Sequence, residues 1–106
     1  MKLLFAIVDR DDANTVVRNL SHRGFSSTKL ATTGGFLLSN NITLLVGVED
    51  KMVQTVIDII KAYSHSRKQV IPSNDLSFDF ETNTPLEVSV GGATIFVVDV
   101  DRFEKV

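Results

Sequence analysis

Apolar positions along the chain change period in a regular order. Residues 3–8 form an unbroken apolar run with a β-branched end, the pattern of a strand covered on both faces. Ala13, Val16, Val17 and Leu20 then fall at i, i+3, i+4 and i+7, which predicts an amphipathic helix. Asp11 and Asp12 stand near its start, where a cap or the helix dipole favours acids. Arg18, His22 and Arg23 stand in its last turns, and Gly24 is a natural residue to follow the C-terminus. Residues 25–33, rich in Ser and Thr, read as a second strand ended by Gly34-Gly35, and residues 43–48 as a third. The connection between them is longer than a tight hairpin needs, and extra loop length is often functional. Glu49-Asp50 opens a second helix whose apolar face runs through Met52, Val53, Val56, Ile57, Ile60 and Tyr63. Residues 68–72 suit a short strand or an extended link. Residues 73–84, polar but carrying Phe78 and Phe80, suit a long loop or a small excursion hairpin. Leu86, Val88 and Val90 alternate with polar residues, Gly91-Gly92 interrupts, residues 93–98 are again apolar, and residues 101–106 form a short tail.

The order β-α-β-β-α-β, with extra strand material late in the chain, predicts an α+β fold. It is the ferredoxin-like sandwich, an antiparallel sheet with both helices on one face, in a single domain over residues 1–106. Several strands are apolar on both sides, yet the helices cover only one. The second face therefore calls for oligomerisation.

Composition narrows the function classes. A chain of 106 residues and 11.7 kDa suits one domain. Eleven Lys and Arg against thirteen Asp and Glu leave a formal charge of -2, which argues against a DNA or RNA partner. With no cysteine, disulfides, thiolate zinc sites, iron–sulfur clusters and a cysteine nucleophile are excluded. The first apolar run is too short for a secretory signal and is followed at once by Asp9-Arg10-Asp11-Asp12. No stretch approaches the ~20 apolar residues of a membrane span. The expectation is a cytoplasmic protein with no membrane partner.

The stretch Thr28-Lys29-Leu30-Ala31-Thr32-Thr33-Gly34-Gly35-Phe36-Leu37 is the richest in chemistry. Its glycines permit close backbone approach to a phosphate, its threonines offer hydroxyls, and Phe36 offers a flat surface for a purine. Asn41 carries both donor and acceptor for an adenine edge. An ordinary strand-end turn with a core phenylalanine accounts for the same residues. Gly47, inside an apolar strand, admits a ligand, a bulge or a neighbouring subunit, and Gly91-Gly92 shares that ambiguity. Asp9, Asp11 and Asp12 suit a helix N-terminus better than a metal cluster. No nucleophile-elbow spacing occurs, and the loop after the first strand is too acidic for an acylphosphatase-like phosphate site. The chain is therefore not expected to be an enzyme.

The decapeptide 28–37, Asn41, Gly47-Val48-Glu49-Asp50 and Val90-Gly91-Gly92-Ala93-Thr94-Ile95-Phe96-Val97 together resemble the PII-like cyclic-di-AMP receptor family. The likeness covers residues 1–70 and resumes from Pro85 to the end. It implies a homotrimer of PII-like, ferredoxin-like subunits that binds cyclic-di-AMP in clefts between subunits, couples it to loop rearrangement and signals to a downstream protein partner. No cofactor and no metal beyond the cyclic dinucleotide ligand are implied. Carried over by position, the ligand-contacting residues are Thr28, Gly35, Phe36, Leu37, Asn41, Gly47 and Phe96. Family members often carry Asn and Arg where this chain has Gly24 and Ser26, and Gln where it has Lys105. The loop at 73–84 is shorter and acidic. These departures leave a second expectation: a degenerate PII-like scaffold that binds another nucleotide or anion, or only a protein.

Overall fold

The computed structural model describes residues 1–30, 40–64, 67–71 and 86–106, with 67–71 and 86–90 described by their backbone. Strand β1 (Lys2–Asp9) leads into helix α1 (Arg10–His22), then β2 (Thr28–Leu30) and β3 (Asn41–Val48). A 3-10 turn (Asp50–Met52) precedes helix α2 (Val53–Tyr63), followed by β4 (Arg67–Ile71), β5 (Leu86–Val90) and β6 (Ala93–Asp99). The main sheet has the order β2-β3-β1-β6, and each of its neighbouring pairs is antiparallel. That is the order and direction expected of a ferredoxin-like sheet. Strands β4 and β5 form a separate antiparallel pair, which makes residues 68–71 strand rather than link; Pro72 lies outside the described residues.

Alternation along the strands sorts residues to two faces. Leu4, Ala6 and Val8 of β1 and Leu44, Val46 and Val48 of β3 turn to one side. There they meet Ala13, Val16 and Leu20 of α1 and Val56, Ile59 and Ile60 of α2. Both helices thus cover the same face. At about 1.5–3 kcal/mol per large apolar side chain, this layer supplies most of the driving force.

Helix α1 begins as its sequence predicts. Asp9 is the N-cap, its carboxylate accepting the Asp11 N–H at 2.8 Å. It ends in a Schellman arrangement, with the Phe25 N–H donating to the Leu20 carbonyl at 2.9 Å and the Gly24 N–H to Ser21 at 3.0 Å. Gly24 holds φ 86°, the left-handed value this ending needs. The α2 face differs from the sequence expectation at its end. Tyr63 is 43 % exposed, while Ile59 and Ser64 are buried, and the Ser64 hydroxyl donates to the Ile60 carbonyl. Strand β2 starts later than a strand over residues 25–33 would: the helix ending captures Phe25, which packs against the core, and pairing starts at Thr28, while residues 31–33 lie outside the described residues.

Candidate functional site

The sheet face away from the helices carries the candidate residues. Its register sets up rows running across the strands. In one row Thr28 pairs with Leu45, Leu45 with Phe5 and Phe5 with Phe96. In the next, Gly47 pairs with Leu3 and Leu3 with Val98. In another, Leu30, Thr43, Ile7 and Thr94 follow one another. Residues that pair directly share a face, so Thr28, Gly47 and Phe96 all turn to this side, and the alternation along β3 adds Asn41. The face is apolar and open: Phe96 is 56 % exposed and Val98 42 %.

Thr28 and Gly47 meet in one hollow of about 390 Å³ at the edge where β2, β3 and β1 run together. Ser26, Met1 and Phe103 line it with them. The β1–β3 ladder passes through Gly47 in unbroken register, Leu4 with Val46 and Lys2 with Val48 on either side, so the bulge explanation for this glycine falls away. A Cβ built there would meet only the terminal methyl of Met1, at 3.1 Å, the end of a flexible side chain. Packing within one chain therefore does not require the glycine. Over the missing Cβ lies the movable end of Met1, so a ligand that displaces that side chain meets the Gly47 backbone.

Asn41 stands at the other end of β3, about 20 Å from Gly47 at the strand rise. It lines a second hollow of about 300 Å³ with Ile7, Thr94 and the Gly91-Gly92 turn. Both glycines have left-handed φ, 81° and 85°, so turn geometry accounts for this pair. Phe96 lies across the sheet from Thr28, about 14 Å away by strand spacing. Gly35, Phe36 and Leu37 lie outside the described residues.

The hollow beside Gly47 is fastened from the chain's ends. The Met1 ammonium pairs with the Asp50 carboxylate at 2.9 Å, and the Met1 carbonyl accepts the Val100 N–H at 3.2 Å. The ammonium's hydrogen bond holds the Asp50 carboxyl below its usual range. Lys2 pairs with Asp99, and that hydrogen bond raises the lysine. These contacts fix where the tail leaves β6, and they bring Phe103 to the rim. In the sequence Phe103 is only part of a short tail. Its signal was an aromatic residue between Arg102 and Glu104, past the last strand.

Among the described residues, no group of three or more His, Asp or Glu side chains is placed to hold a metal ion. Nor is any helix among them long and apolar enough to cross a membrane. The hollows offer hydroxyls, an amide, backbone and apolar surface, which is equipment for binding a polar, partly aromatic molecule.

A family model described as cyclic-di-AMP receptor matches residues 1–106, the whole chain. Among solved structures, the chain is similar to a functionally unknown protein from Pediococcus pentosaceus ATCC 25745. The two are 40% identical with a TM-score of 0.76, over 99% of this chain and 96% of that one.

Proposed function

We propose that this chain, which belongs to the cyclic-di-AMP receptor family, is a signal receptor that takes cyclic-di-AMP between the subunits of a homotrimer. The observation that carries the reading is the spread of the candidate residues. Thr28, Gly47, Asn41 and Phe96 share one open face, yet they stand at an edge, an end and the opposite edge of it. Separations of about 14–20 Å are too wide for one compact ligand to bridge on one chain. Bringing the apolar faces of neighbouring copies together covers the exposed surface and sets the edge of one beside the end of another. Asn41 then reads an adenine edge, and the Gly47 backbone admits a second polar contact. Ligand binding passes a signal to a protein partner only if it favours one loop arrangement over another.

Calorimetric titration with cyclic-di-AMP, with cyclic-di-GMP and ATP as controls, tests this. The expected result is saturable binding near one ligand per subunit, weakened in Asn41→Ala with assembly size unchanged. No heat from a trimer of the right size overturns it.

One observation favours the second reading, a scaffold turned to another ligand or to a protein alone. Ser26 stands at the hollow where the family often has arginine, and no Lys or Arg side chain is among the described residues lining it. Ser26→Arg separates the two. If it turns a non-binder into a binder, the degenerate scaffold gains.

A further inference from the structure

We infer that Phe103 is the base-stacking residue of the hollow that contains Thr28 and Gly47, an assignment that rests on the receptor reading above. Phe103 is not among the positions the family resemblance implies. It is 63 % exposed, although a phenylalanine with no polar tip gains nothing from water. The Val100 N–H bond to the Met1 carbonyl fastens the chain three residues before it, and Arg102 and Glu104 on either side pair with each other.

Gly47 lines the same hollow, and the atom nearest its missing Cβ is the end of the flexible Met1 side chain. An aromatic ring and a strand position without a side chain, reached only by the movable end of Met1, line one hollow and give it surfaces suited to a flat molecule. The Ser26 and Thr28 hydroxyls at its margin suit the polar edge of a base or its sugar. Stacking of a base on an aromatic side chain is tolerant of which base it is. Phe103 therefore supplies affinity, and discrimination among nucleotides falls to the polar groups.

The protein has no tryptophan, so Phe103→Trp places a single indole at the site. With this variant, saturable quenching of its emission by cyclic-di-AMP is expected. Phe103→Leu keeps apolar bulk and removes the ring. Calorimetry should show it binding roughly five- to a hundredfold more weakly than wild type, at the same assembly size. Wild-type affinity in Phe103→Leu overturns the inference. So does an unresponsive indole when calorimetry shows the ligand bound. A smaller assembly in Phe103→Leu, with an unresponsive indole, would assign the ring to a contact between subunits and also overturn it. If wild type itself binds no cyclic-di-AMP, the receptor reading falls and takes this one with it. A binding wild type beside an unaffected Phe103→Leu removes only the role of Phe103.

Discussion

At Gly24 the backbone stands at φ 86°, and a Cβ added there would touch nothing within 4 Å. The cost of a side chain is therefore conformational and not steric with neighbours. Gly24→Ala should lose about 1–2 kcal/mol, read as a lower urea midpoint at unchanged slope, and Gly24→Asn distinctly less, because asparagine tolerates the left-handed region. A second local prediction concerns acid. The Met1 ammonium hydrogen-bonds Asp50 and lowers its carboxyl from the ordinary 3.8. A carboxyl lowered by folding stabilises the fold above its unfolded value and loses that contribution as pH falls through the folded one. Asp50→Asn should thus flatten the acid limb of stability below pH 3.8 and leave its neutral-to-basic part in shape, as followed by thermal melts across pH. Both groups are partly exposed, so the effect is small.

The helices were legible in the sequence because periodicity, caps and stop signals agreed. Ala13, Val16 and Leu20 are buried as their spacing requires, and the acid-rich start of α1 proved to be a cap, with Asp9 as the capping residue. Asp9→Ala should cost about 1 kcal/mol of stability, whereas Asp9→Asn keeps an acceptor and most of the stability; equilibrium denaturation distinguishes them. Where the sequence misled, two demands competed for the same residues. Phe25 looked like strand, but the helix ending and the core claimed it. Tyr63 sits on the apolar period of α2, yet the helix runs past the core there and its ring reaches solvent. Among candidate site residues, Gly47 and Thr28 could be named from the chain, but that they share a hollow depends on strand register. Phe103 enters that hollow through tail contacts that no local pattern encodes.

Across the whole molecule, one sheet face is closed by helices and the other presents Phe5, Leu45, Phe96 and Val98 without a cover from this chain's helices. The strands' apolar character on both sides announced this exposed face in the sequence. Val98 is already part-exposed, so under the proposed homotrimer Val98→Lys should leave a single chain folded and separate the copies. Sedimentation should then report a smaller species with an unchanged circular dichroism spectrum, and an unchanged assembly would show that this face is not the contact. The unbroken register of β1 against β3 also bears on how such a chain can change over generations. One residue gained or lost inside Asn41–Val48 would put the residues on one side of the change out of phase with the pleat; just after Ile42, for instance, it would turn Gly47 towards the helices and Leu44 and Val46 out to water. Insertions and deletions in descendants of this sequence should therefore collect between the strands, while β3 itself evolves by substitution alone.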